Sequence, residues 1–81
     1  MLREQIKSLI KDKIKERGYK LVRVEIGSQK GGMTLTIFID KEGGVDVEDC
    51  AEVSRLIDPI IEKAGLIKNR YFLQVSSPGG E

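Results

Sequence analysis

Tyr71-Phe72-Leu73-Gln74-Val75-Ser76-Ser77-Pro78-Gly79 closes the sequence and decides what the rest can form. Its apolar residues alternate, as in a strand with one buried face, and the Ser-Ser-Pro-Gly exit stops that strand with a turn. Only Gly80 and Glu81 follow, so the expectation is a domain that hands over to another. Without this strand the chain would hold two amphipathic helices and an isolated hairpin. With it, a third strand gives the helices a sheet face wide enough to cover.

Upstream, residues 46–65 read as a helix, with Asp46 as N-cap, Glu48 and Asp49 adding charge to the first turn, and Gly65 ending it. Val47, Cys50, Val53, Leu56, Ile57, Ile60 and Ile61 form its expected apolar side, with Cys50 as a small core residue. Pro59 interrupts this pattern, and a proline lacks the amide donor and crowds the preceding turn. A kink, or a break near Ile57-Asp58, is therefore expected.

Further back the period is 2. Val22, Val24 and Ile26 alternate with Arg23 and Glu25, and Leu35, Ile37 and Ile39 alternate with Thr34, Thr36 and Phe38. Gln29-Lys30-Gly31-Gly32 joins the two runs as a hairpin turn, with both glycines available for positive φ. Residues 2–17 read as a helix whose stripe is Leu2, Ile6, Leu9, Ile10 and Ile14, stopped by Gly18. The expected fold is α+β: a two-layer sandwich in the order α-β-β-α-β, with two helices on one face of a three-stranded sheet. The other face would carry Arg23, Glu25, Thr34, Thr36, Phe38, Phe72 and Gln74, and its two aromatics could stack on bases, cap a neighbour or simply add cross-strand packing.

Eighty-one residues, 40% hydrophobic and 33% charged, suit one globular domain. One cysteine excludes an internal disulfide, and the lack of histidine removes imidazole catalysis and the usual zinc sites. A reducing cytoplasm fits this composition. No apolar run reaches the ~18 residues of a membrane span. Ser54, Ser76 and Ser77 have no base to activate them and sit in no Gly-x-Ser-x-Gly elbow; bonding within the turn before Pro78 explains Ser76 and Ser77 better. Neither glycine pair belongs to a phosphate-cradling Gly-x-x-x-x-Gly-Lys-Ser/Thr loop. Asp46, Glu48, Asp49 and Glu52 read as a solvated helix start rather than a metal site. No catalytic residue, cofactor, metal or small-molecule substrate is expected.

Charge placement is more telling than the net value of +1. Residues 1–20 hold seven Lys/Arg against three Asp/Glu, whereas residues 40–64 hold three against eight. Such polarity suits an oriented meeting with a charged partner. Arg3, Lys7, Lys11 and Lys15 recur every four residues along one flank of the first helix, either a ridge able to follow a phosphate backbone or a solvated flank with neighbouring ion pairs. Lys30 and Lys41, in the two glycine loops, are secondary candidates for RNA contact. The architecture also bears comparison with type II KH domains, RNA binders that clamp nucleotides with a Gly-x-x-Gly loop. Between Ile57 and Tyr71 this chain has only Gly65, so clamping of that kind is not expected.

Four segments in order carry a resemblance: Gly18-Tyr19-Lys20-Leu21-Val22-Arg23-Val24-Glu25; Leu35-Thr36-Ile37-Phe38-Ile39-Asp40-Lys41-Glu42-Gly43-Gly44-Val45; Asp49-Cys50-Ala51-Glu52-Val53-Ser54-Arg55; and Leu73-Gln74-Val75-Ser76-Ser77-Pro78-Gly79. Together they resemble the N-terminal domain of the bacterial ribosome maturation factors of the RimP family. The resemblance implies a non-enzymatic, cytoplasmic factor in assembly of the small ribosomal subunit, with ribosomal RNA and a ribosomal protein as partners. Family members usually continue from the Pro-Gly through a hydrophobic residue, an acid, a base and a proline into an SH3-like barrel. Here Gly80-Glu81 follow instead, so a single domain over residues 1–81 is expected, without that barrel; Asp58-Pro59 is a second departure. The alternative reading is a protein–protein or homodimerisation module acting through the open sheet face or an unpaired strand edge, although a monomer is the simpler expectation.

Overall fold

The structure, a computed structural model, describes residues 2–68 and 70–78. Asn69 of the connector before the last strand and Gly79 of the terminal turn lie outside the described residues, as do Met1, Gly80 and Glu81. The elements are α1 (Leu2–Glu16), β1 (Lys20–Gln29), β2 (Gly32–Asp40), α2 (Val47–Ala64) and β3 (Tyr71–Ser76).

The stripe of α1 buries Ile6, Ile10 and Ile14 completely. The helix stops where Gly18 turns to φ 88°. Its amide donates to the Lys15 carbonyl at 3.0 Å and the Tyr19 amide to the Ile14 carbonyl at 3.2 Å. This bond pair satisfies two carbonyls that the helix end would leave open, and it reverses the chain into β1.

β2 is the central strand of a sheet ordered β1-β2-β3. It pairs antiparallel with β1 through the hairpin and parallel with β3. A parallel return needs a crossover of a dozen or more residues, which the segment containing α2 supplies. Val24, Leu35, Ile37 and Ile39 point from the sheet into a core completed by the α1 isoleucines and by Val53, Ile57 and Ile61 of α2. Both helices thus cover one face, as the periodicities predict. Each fully buried isoleucine contributes about 1.5–3 kcal/mol of transfer free energy.

Four local details correct the sequence reading or decide between its alternatives. The register shifts between Leu21 and Arg23, so Val22 is the extra residue of a bulge; Leu21, opposite Ile39, takes the core-facing place expected for Val22. Helix α2 runs through Pro59 without a break. Pro59 and Arg55, whose carbonyl loses its usual donor, are both exposed, so water can supply the missing bond. Val47 is 85% exposed rather than on the buried stripe, because the apolar face engages the core only from Val53 onward; Cys50 is half-buried and outside the core. Phe38 is only 7% exposed although it lies on the open face. The Arg23 guanidinium stacks 4.1 Å from its ring centroid, leaving Phe72, 40% exposed, as the accessible aromatic of the expected pair.

Candidate nucleic-acid interface

The capping of α2 organises the end of the molecule where α1 stops. Asp46 accepts the Asp49 amide at 2.8 Å, and Asp49 accepts the Asp46 amide at 3.0 Å, a reciprocal capping box. The Asp49 carboxylate also meets Lys41 Nζ at 2.9 Å and accepts the Tyr19 hydroxyl at 2.7 Å. Tyr19 reaches Glu52 at 3.4 Å as well, and Glu52 pairs with Arg17 at 3.2 Å. One network therefore ties the end of α1, the start of β1, the loop after β2 and the first turns of α2. The Asp46 amide, then Lys41 and Tyr19, hold the Asp49 carboxyl well below its usual range. Burial, then the bond to Asp49, raises the Tyr19 phenol well above its usual value, so it stays a donor. The bond to Asp49 likewise raises Lys41, which remains charged.

Asp49 gives a pH prediction with a definite sign. A carboxyl depressed by folding adds stability that is complete above its ordinary value of 3.8 and is lost as pH falls through the folded value. The stability gap between the parent and Asp49→Asn should be flat above about pH 5 and close below about pH 4. Urea unfolding across that range measures it.

The six predicted contact residues fall in three places. Arg3, Lys11 and Lys15 are exposed and Lys7 is half-buried, all on α1. Arg3 shares a cleft with Ile26 near the far end of β1, while Lys11 and Lys15 share another of about 360 Å³ with Tyr19, Lys20 and Leu21. The ridge therefore runs beside β1, antiparallel to it, from Ile26 back to Lys20. Lys30 is exposed at the hairpin tip. Lys41 lies at the other end of β2, on the order of 30 Å away at ~3.3 Å per residue. It is committed to Asp49 and sits 5.4 Å from the Tyr19 ring centroid. Six cations thus resolve into a four-residue ridge, a separate tip and a structural ion pair.

Lys20 was missed as a site candidate. It extends the ridge because the Gly18 reversal lays the start of β1 against the last turns of α1. A lysine two residues beyond a glycine helix stop is a readable signal for that position. Among the described residues no cluster of acidic or sulfur side chains is arranged to hold a metal ion, and no helix is long and apolar enough to cross a membrane.

A family model described as the RimP N-terminal domain matches residues 9–81. That span takes in the network from Arg17 to Glu52 and the ridge from Lys11 onward.

Proposed function

The chain belongs to the RimP N-terminal domain family, a family of ribosome maturation factors, and from that membership we propose that it binds the maturing small ribosomal subunit without catalysing a reaction. Ribosomal RNA meets the α1 ridge, and a ribosomal protein meets the acidic second helix. The work takes place in the cytoplasm, where subunits assemble. The alignment of Arg3, Lys7, Lys11 and Lys15, extended by Lys20 along one side of α1 and β1, is the observation that supports the RNA side of this reading. Phosphates spaced along a strand can be met in sequence by cations spaced along a helix, with release of counterions as the driving term. Lys30 at the hairpin tip is a secondary contact. Lys41 contributes less, since a phosphate must compete with Asp49 for it.

Charge reversal separates this from a general preference for cations. Lys7→Glu with Lys11→Glu should cut retention by small subunits in a pull-down at least about tenfold, from the loss of two phosphate contacts and the added repulsion. Lys63→Glu with Lys68→Glu makes the same change in net charge away from the ridge and should retain binding. Equal losses in the two pairs, or none in the first, would count against the ridge.

A further inference from the structure

Among the described residues the sheet has two edges without a paired strand, and they are built differently. The outer edge of β1 is interrupted by the bulge at Val22 and flanked by Lys20 and the α1 lysines, devices that discourage an added strand. The β3 strand itself carries no bulge and no lysine or arginine, the nearest cations in sequence being Lys68 and Arg70 just before it. Tyr71 to Ser76 pair one to one with Met33 to Phe38, without a register shift.

The Met33 amide donates to the Arg70 carbonyl at 3.1 Å, which sets the phase of the strand. Main-chain groups of residues 72 and 74 turn toward β2, and those of Tyr71, Leu73 and Val75 turn to the free side. Among the described residues no strand pairs with that side. Beside it, α2 stacks Ser54, Asp58 and Glu62 at intervals of four, and these line an open cleft of about 460 Å³ with Tyr71, Phe72 and Leu73. The lining holds two carboxylates and no cation. Neither carboxylate has a cationic partner among the described residues. The Tyr71 hydroxyl donates to Asp58 Oδ1 at 3.1 Å; burial, then this bond, pushes it up to about 12, so it remains a donor, and Asp58 itself is exposed.

We propose that this edge receives an extended, lysine- or arginine-bearing protein segment, which adds to β3 as a fourth strand. Its main chain bonds to Leu73 and Val75, and its cations meet Asp58 and Glu62. Because side chains alternate along a strand, cations at every second position lie on the α2 side and the residues between them pack toward Phe72. This deepens the reading in which the acidic second helix meets a basic protein, by giving the segment a conformation and a seat.

The test uses the 81-residue chain and a synthetic peptide of about eight residues alternating lysine and valine, the length of a strand. Binding is read by fluorescence anisotropy, and amide hydrogen exchange is followed by NMR. The expected result is new protection at the Leu73 and Val75 amides. Affinity should fall about tenfold in Asp58→Asn with Glu62→Gln, exposed positions whose new side chains keep the acceptor for Tyr71. It should fall further for a peptide N-methylated at alternate amides, which cannot complete the ladder. Failure of the peptide to bind, protection along β1 instead, or equal affinity for the methylated peptide would overturn the inference. Subunit pull-down keeps the two readings apart. If Lys7→Glu with Lys11→Glu leaves it unchanged while the peptide still adds to β3, only the ridge is lost. If the ridge variant fails to bind subunits and the peptide does not bind, only the docking edge is lost.

Discussion

Replacing Ile37 by alanine should destabilise the domain by about 2–5 kcal/mol, the range for removing a fully buried branched side chain. Ile37 is wholly buried on the central strand, opposite Val24 on one side and Val75 on the other. Neither helix can collapse into the space without pulling away from the other strands. A domain of 81 residues holds only about 4–12 kcal/mol in total, at ~0.05–0.15 kcal/mol per residue. Ile37→Ala therefore removes a large part of the stability, and the urea midpoint should fall accordingly with a similar slope. Ile37→Val should cost only about 0.5–1.5 kcal/mol. If Ile37→Ala costs no more than Ile37→Val, this strand does not lie beneath the two helices.

The second large effect is expected at Gly32. Both glycines of the hairpin suit a turn, but only Gly31 takes a positive φ, at 89°, and a side chain there meets open space. Gly32 lacks a positive φ but has a crowded neighbour: an added Cβ would stand 2.7 Å from the Arg70 carbonyl oxygen and 3.3 Å from the Phe72 ring. The close approach lets Arg70 accept the Met33 amide and start β3 in register. Gly32→Ala must move backbone, costing about 1–3 kcal/mol for overpacking, with about 1 kcal/mol more if the hydrogen bond is lost. Gly31→Ala carries only local backbone strain, on the order of 1 kcal/mol. Thermal melts should rank Gly32→Ala as the more damaging, and hydrogen exchange should show the Met33 amide losing protection. The reverse ranking would place Arg70 away from the hairpin.

This contrast shows where sequence reasoning stops. Periodicity located Ile6, Ile10, Ile14, Leu35, Ile37, Ile39, Val53, Ile57 and Ile61, because a buried stripe must repeat with its own element's geometry. Gly18, Asp46 and Gly65 were legible as helix ends because capping is chemistry within a few residues. The bulge at Val22, the exposure of Val47 and the cover over Phe38 were not, since each depends on a strand or helix distant in the chain. The same limit applies to the site. The spacing of four displayed the ridge of Arg3, Lys7, Lys11 and Lys15, but Lys20 joins it only after a chain reversal. Lys41 reads as a loop cation until folding brings it to Asp49, and the bonds from Arg17 and Tyr19 to Asp49 and Glu52 span 30 to 35 residues. The acidic start of α2, read as merely solvated, is in part a fastening point for the end of α1.

The salt dependence of binding to small ribosomal subunits tests the central claim most directly. Five ridge cations, Lys20 included, neutralising phosphates predict that log affinity falls against log salt with a slope of about −4, from ~0.7–0.9 per contact. Lys7→Glu with Lys11→Glu should reduce that slope by about half as affinity drops. A slope near zero, or one that the two substitutions leave unchanged, would contradict binding through the α1 ridge.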